Sequence, residues 1–248
     1  MKKLRLDALL VERGLFASRT KAQAALMAGK VLLNDRPATK AGTPVKADVR
    51  IEVLKDAVPY VSRGGLKLAA GLDAFRLDVR GRTALDLGAS TGGFTDCLLQ
   101  RGAAKVYAVD VGHGQLDSRL REDPRVICRE KTHAKNLTPE LLGGASERID
   151  LAVIDVSFIS LTLVLPPALA CLQAPCEVVA LIKPQFELEP KKAPKGVVRQ
   201  ESYRREAVEK VRAAARGLGL KERGLMESPV KGPKGNVEFL LYLASTSS

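Results

Sequence analysis

The segment Asp86-Leu87-Gly88-Ala89-Ser90-Thr91-Gly92-Gly93-Phe94-Thr95-Asp96 follows a short apolar run and opens a helical pattern. Glycines at a strand-to-helix turn let a ligand approach the backbone closely. Asp110 closes the next apolar run, 22 residues after Gly88. A carboxylate there is placed to accept both hydroxyls of a ribose. The dinucleotide pattern G-x-G-x-x-G fails at its middle position, which is Ser90. That glycine admits a pyrophosphate, so a side chain there argues against NAD or FAD. A nucleoside cofactor without phosphates fits better, and S-adenosylmethionine is one. The same turn, with Asp110 capping a helix, would also serve as a plain strand-to-helix connection.

Four further charged residues stand near the ends of apolar runs. Lys67 opens the larger part of the chain, Asp155 closes the fourth run, Lys183 closes the fifth just before Pro184, and Glu238 lies on the last. A Lys and an Asp at the ends of adjacent apolar strands are costly to bury unpaired. On residue type alone they form either a structural ion pair or a site that handles protons. Methylation of a base amino group is disfavoured, because that chemistry uses Asn/Asp-Pro-Pro-aromatic and the chain has Asp155-Val156-Ser157-Phe158. Methylation at carbon five of cytosine needs a nucleophilic cysteine. The one Pro-Cys pair, Pro175-Cys176, precedes the fifth run and so falls at the wrong end of that strand.

The elements that must position these residues are legible as periodicity. Short apolar runs appear at 83–88, 105–111, 126–130, 149–157, 177–184, 224–230 and 236–245. Helical stretches separate the earlier ones. This predicts a seven-stranded, mainly parallel sheet covered on both faces, a Rossmann-like α/β domain. Ligands then bind at the carboxyl ends of the strands, where the strand order switches.

Composition bounds the rest. The 248 residues are 46% hydrophobic and 27% charged, as in an ordinary globular protein. Forty Lys and Arg against 28 Asp and Glu give +12, which favours polyanions. Residues 1–65 hold 13 basic and 6 acidic side chains, more than half of the surplus. Cys97, Cys128, Cys171 and Cys176 form no C-x-x-C pair, and His113 and His133 are isolated, so no metal site or disulfide framework is expected. The charged start lacks the apolar core of a signal peptide, and the longest apolar run, 161–172, is interrupted by Pro166 and Pro167. A cytoplasmic protein with no stable membrane association is expected.

Residues 6–15 place Leu6, Leu9, Leu10 and Val11 on one helical face ending at Gly14. Ser18 caps a second helix that stops at Gly29. Val31-Leu32-Leu33 runs into the turn cluster 34–37, and Asp48–Val53 alternates as a strand. The result is a small α+β module over residues 1–58. Arg19 and Lys21 lie in the first turn of the second helix, where the dipole is already positive. Cations there are mildly unfavourable for folding, which suggests a face built for phosphates. Residues 59–65 (PYVSRGG) are a linker in which Pro59 and Gly64-Gly65 break any helix, and Arg63 could touch RNA. The larger domain covers 66–248.

The run Arg5-Leu6-Asp7, Leu9, Gly14-Leu15, Ser18-Arg19, Lys21-Ala22, Gly29, Val31, Asn34 resembles the RNA-binding domain first described in ribosomal protein S-four. The resemblance implies recognition of folded RNA through Arg5, Arg19 and Lys21. Lys67, Asp155, Lys183 and Glu238 look like the Lys-Asp-Lys-Glu tetrad of ribose 2′-O-methyltransferases of the FtsJ fold. Both parts together, with the GASTGGFTD loop, resemble the TlyA family, whose members carry both haemolysin and ribosomal RNA methyltransferase names. On the cofactor side the resemblance covers Gly92, Phe94 and Asp110; Gly88, Ser90, Gly93 and Asp155 complete the expected S-adenosylmethionine contacts. FtsJ-type enzymes place an Asp near the adenine on the third strand, whereas this chain has Arg129-Glu130-Lys131-Thr132-His133.

The resemblance implies methylation of a ribose 2′-hydroxyl, of cytidine, in ribosomal RNA or ribosomal subunits. Lys183 is then the general base, Lys67 orients the hydroxyl or steadies negative charge on it, Asp155 positions Lys183, and Glu238 holds the two lysines. Lys191, Lys192 and Lys195, just past the fifth strand, read as an RNA-contacting rim or as a charged loop. Two other readings stay open on sequence: a haemolysin-like membrane-active protein, and a non-catalytic RNA-binding assembly factor. Oligomeric state is left open.

Overall fold

Apolar runs too short for helices pair into sheets, and the longer amphipathic stretches pack on them. The computed structural model describes residues 4–33, 36–53, 59–144 and 147–245. It divides into two units, residues 1–63 and 64–248.

The first unit contains β1 (Leu4–Arg5), α1 (Leu6–Glu12), α2 (Arg19–Met27), β2 (Val31–Leu33), β3 (Arg36–Pro37), β4 (Pro44–Val45) and β5 (Ile51–Val53). Strand β1 pairs antiparallel with β4, and β2 lies between β3 and β5. The helical faces read from sequence bury Leu6, Leu9, Leu10, Ala22 and Leu26 in one small core. Ser18 caps α2 by accepting from the Lys21 amide. Only residues 51–53 of the expected strand 48–53 are extended in the ladder, because β2 offers just three partners. Asn34 lies outside the described residues.

The second unit runs α3 (Gly64–Phe75), β6 (Thr83–Leu87), α4 (Gly93–Gln100), β7 (Lys105–Val109), α5 (Ser118–Arg121), β8 (Val126–Arg129), β9 (Leu151–Ile154), α6 (Leu161–Ala170), β10 (Glu177–Ile182), α7 (Pro184–Glu187), α8 (Glu201–Gly217), β11 (Leu220–Glu227) and β12 (Phe239–Ser245). The sheet order is β11-β12-β10-β9-β6-β7-β8. Strands β8, β7, β6, β9 and β10 are parallel, and β12 runs against both of its neighbours. The order reverses between β6 and β9, so the crevice opens beyond their carboxyl ends.

Two expectations are corrected. Gly64 and Gly65 do not break a helix; they begin α3. Buried Leu68, Gly71 and Leu72 supply the tertiary packing that outweighs glycine's poor propensity. Gly71 is needed for the approach, since a Cβ there would stand 3.0 Å from Leu240 Cδ1 on β12. Likewise Pro166 and Pro167 do not interrupt the apolar run: both lie inside α6. Burial of Leu161, Val164, Leu165 and Ala168 offsets the ladder hydrogen bonds the prolines remove.

Candidate active site

Lys67 is the charge on the buried face of α3, which also carries Leu68 and Gly71. Its ammonium meets Glu238 Oε2 at 2.5 Å, and the Glu238 side chain is fully buried. Glu238 Oε1 finds no hydrogen-bond donor among the described residues. It lies against Gly232, where a Cβ would stand 1.9 Å from it. Gly232 is therefore required by contact, a constraint that the sequence alone does not carry.

Lys183 follows β10 directly and Asp155 follows β9 directly, on adjacent parallel strands. Lys183 Nζ lies 2.5 Å from Asp155 Oδ1 and donates to Ser157 Oγ at 2.9 Å. The antiparallel register pairs Ile182 with Phe239. Lys183 and Glu238 are thus each one residue beyond that pair, at the same end of the sheet. The four expected catalytic residues form two ion pairs, Lys67–Glu238 and Lys183–Asp155, carried by neighbouring elements. Ser157 is an addition to the expected set; a serine three residues past a strand end carries no spacing signal of its own.

A cavity of about 450 Å³ opens beyond β6, β7 and β9, at the switch in strand order. This volume suits a nucleoside-sized ligand. Gly88, Ser90, Asp110 and Asp155 line it. Gly88 has φ +92, and a Cβ there would stand 2.7 Å from the Asp155 carbonyl oxygen, so only glycine lets the two strand ends close together. Asp110 accepts from the Ser90 amide at 2.8 Å and the Gly112 amide at 2.6 Å, which fixes its carboxylate in the wall. Gly92, Gly93 and Phe94 do not line this cavity. Gly92 caps α4 with φ +97, and Phe94 is buried. Their place is behind the loop.

Thr132, His133 and Ala134 line the cavity where the sequence left the third-strand contact open. Glu130 is occupied elsewhere, accepting from Arg121 at 2.8 Å and from the Gln115 amide at 3.1 Å. The Arg121 guanidinium, helped by backbone donors, pulls its carboxyl down to about 2. Phe158 also lines the cavity; it is 90% exposed, has φ +64 and meets the Phe186 ring at 5.1 Å between centroids. An aromatic residue held left-handed and in water is strained as well as exposed.

Asp86, under this loop on β6, is completely buried. Desolvation raises its carboxyl to about 7; the 2.6 Å hydrogen bond from Thr95 Oγ1 opposes the rise, and Asp155 and Asp110 add to it. An unfolded carboxyl ionises near pH 4. The stability due to the neutral form is therefore full below about pH 4 and is lost as pH rises to about 7. Asp86→Asn is expected to be roughly 2–4 kcal/mol more stable than wild type at pH 8, with the gap closing by about pH 4. Thermal melts across this range check it; a gap that does not change with pH contradicts it.

In the first unit Arg5 and Arg19 both donate to Asp7, which is fully buried. Gln23 and the Ala8 amide donate to it too. The Arg5 guanidinium first, then Gln23 and Arg19, hold the Asp7 carboxyl far below its ordinary range despite burial. Arg19 is thus neutralised from beneath, which removes most of the folding cost expected of a cation at that helix start. Both guanidiniums remain more than half exposed. Lys21 is exposed on α2. The Arg63 stem crosses Gly29, where a Cβ would stand 2.8 Å from Arg63 Cδ.

An FtsJ-like methyltransferase model matches residues 60–245, and an S4 domain model matches residues 4–51. The chain belongs to the FtsJ-like methyltransferase family. This methyltransferase is also 47% identical over 98% of its length, and 90% of the relative's, to the 16S/23S rRNA (cytidine-2′-O)-methyltransferase TlyA of Mycobacterium tuberculosis. It is 41% identical to Hemolysin A of Brachyspira hyodysenteriae, over 96% of this chain and 99% of that one. A solved structure of a Streptococcus thermophilus protein designated a hemolysin superposes with a TM-score of 0.78 at 42% identity, covering all of this chain and 90% of that one. The family's donor is S-adenosylmethionine, and the cavity fits a ligand with hydroxyls and a positive charge: Leu87, Val109 and Ile159 give apolar walls, and Asp110 and Asp155 bring two carboxylates. Among the described residues no helix of this methyltransferase is long and apolar enough to cross a membrane.

Proposed function

We infer that the chain transfers a methyl group from S-adenosylmethionine to the ribose 2′-oxygen of cytidine in ribosomal RNA, in the cytoplasm. The observation that carries this reading is Lys183, held by Asp155 and Ser157 beside the cofactor cavity. The cofactor, when bound, supplies an electrophilic methyl carbon.

Asp110 would hold the cofactor's ribose hydroxyls, and the Thr132–Ala134 wall its base. A ribose hydroxyl is a poor nucleophile and must lose its proton as the new bond forms. A neutral lysine amine keeps two N–H donors and one lone pair. Ser157 Oγ and the Asp155 backbone carbonyl take the donors, at 2.9 and 3.5 Å, with the Asp155 carboxylate as ion-pair partner, so the lone pair is left to accept the 2′-hydroxyl proton. With Asp110 and Thr132–Ala134 holding the cofactor, its methyl group would be offered to the 2′-oxygen that Lys183 has deprotonated, and its sulfur would keep the electron pair of the broken bond. Lys67, anchored by Glu238, steadies the charge that develops on the oxygen. Placement of the two reactants in line offsets roughly 7–11 kcal/mol of the barrier. Phe158 offers an exposed ring on which an unstacked base can rest. The S4 domain supplies RNA affinity through Arg5, Arg19 and Lys21, with Arg63 as a further contact.

The purified chain, given tritiated cofactor and ribosomal subunits or their RNA, is expected to label the RNA. No label in any of these substrates, with the cofactor bound, would overturn the reading in favour of a non-catalytic RNA-binding factor.

A further inference from the structure

The tripeptide Pro-Lys-Gly occurs twice, at 194–196 and 233–235. Both copies fold as a short 3-10 turn with the lysine left-handed, at φ +56 for Lys195 and +62 for Lys234, followed by a left-handed glycine. That conformation is uncommon outside glycine and asparagine, so a lysine in it twice needs a reason beyond turn formation.

The turns are neighbours. Lys234 Nζ donates to the Lys195 carbonyl at 3.0 Å. Gly196 makes room for that ammonium, since a Cβ there would stand 3.3 Å from it. Buried Asn236 joins the turns from below: its Nδ2 donates to the Gly196 carbonyl at 2.8 Å, and its Oδ1 accepts from the Val198 amide at 3.0 Å. The second turn leads directly into Glu238, and Gly232 just before it walls the Glu238 carboxylate. The two turns therefore form the rim beside the lysine–carboxylate pairs.

Charge separates the lysines of this rim. Lys191 is paired with Glu189 at 2.6 Å, and Lys192 with Glu206 at 2.5 Å. Lys195 and Lys231 are exposed and have no acidic partner among the described residues, and Lys234 meets a neutral carbonyl. Cations that no carboxylate neutralises, set next to buried Glu238 and half-buried Asp155, suit an anion that the carboxylates alone would repel.

On the reading of the chain as a ribose 2′-O-methyltransferase, that anion is defined by the substrate's own chemistry. The 2′-oxygen and the 3′-phosphodiester sit on adjacent ribose carbons. A ribose presented to Lys183 must carry its 3′-phosphate to the edge of the site, close to Asp155 and Glu238. We propose that the paired Pro-Lys-Gly turns are the subsite for this phosphodiester, with Lys195 and Lys234 as its cationic contacts and Asn236 as the positioning residue that holds the turns together.

Lys195→Gln with Lys234→Gln tests the proposal in the full chain. Binding of a ribosomal RNA fragment, followed by fluorescence anisotropy over a salt series, needs no catalysis and is independent of the methyl-transfer reading. The double variant is expected to bind about tenfold more weakly, with a log–log salt slope shallower by roughly 1. In turnover it should raise KM by a similar factor while kcat and the cofactor Kd stay near wild type. Lys195→Arg with Lys234→Arg should restore binding, whereas a role confined to turn geometry gives no such charge-dependent rescue. An unchanged affinity and salt slope in the glutamine variant, with an unchanged melting temperature, overturns the phosphate subsite. A wild-type chain that binds RNA but transfers no methyl group sinks the proposed function instead, and the anisotropy result still decides the lysines.

Discussion

Lys183→Met is expected to lower kcat for methyl transfer by about 10³-fold, the range lost when a general base is removed. Methionine keeps the unbranched stem, so the space behind β10 stays filled, and the Asp155 side chain stays partly exposed to water. The cofactor Kd should stay within about twofold, since Lys183 does not line the cavity. Lys183→Arg separates two roles for the same cation. A guanidinium still pairs with Asp155 but does not deprotonate in a protein, so arginine is expected to be as inactive as methionine. A Lys183→Arg enzyme with near-normal turnover would show that the site needs a positive charge there and not a base. Single-turnover rates with tritiated cofactor measure all three proteins under one condition.

The second large effect concerns the other ion pair. Glu238→Gln leaves the buried Lys67 ammonium without its anion, and breaking such a pair from one side costs about 3–5 kcal/mol. In a unit of this size that corresponds to a fall in Tm of roughly 6–20 °C. Methyl transfer should fall by at least about 10²-fold, because Lys67 no longer has a fixed position from which to stabilise the forming oxyanion. Lys67→Met combined with Glu238→Gln removes the stranded charge and is expected to regain most of the stability. It should not regain the activity. Differential scanning calorimetry and turnover on the wild type and the two variants separate architecture from chemistry. A double variant that is both stable and fully active would reduce Lys67–Glu238 to a structural pair.

Parts of this arrangement are readable from the residues because their physics is local. A strand end is marked by the last residue of an apolar run, so Asp110, Asp155 and Lys183 can be placed at one edge of the sheet before any coordinates. Lys67 carries a signal as well, since it shares a helical face with Leu68 and with Gly71 four residues on. What stays hidden depends on contacts between distant segments. Nothing near Gly232 announces that Glu238 will press against it. Asp7 reads as one more charge in a basic module, yet it is the buried acceptor that orients Arg5 and Arg19 from different elements. The Gly64-Gly65 start of α3 and the prolines of α6 mislead for the same reason: local propensity is outweighed by burial on the sheet. The cofactor loop shows both cases. Gly88 and Ser90 line the cavity as their spacing implies, while Gly92 and Phe94 support the loop from behind.

On this mechanism the ribose oxygen, and no atom of a base, receives the methyl group. RNA methylated by the purified chain, digested to nucleosides and analysed by mass spectrometry, tests this directly. The expected product is a cytidine whose added mass stays with the sugar fragment when the glycosidic bond breaks. Added mass that leaves with the base would contradict it.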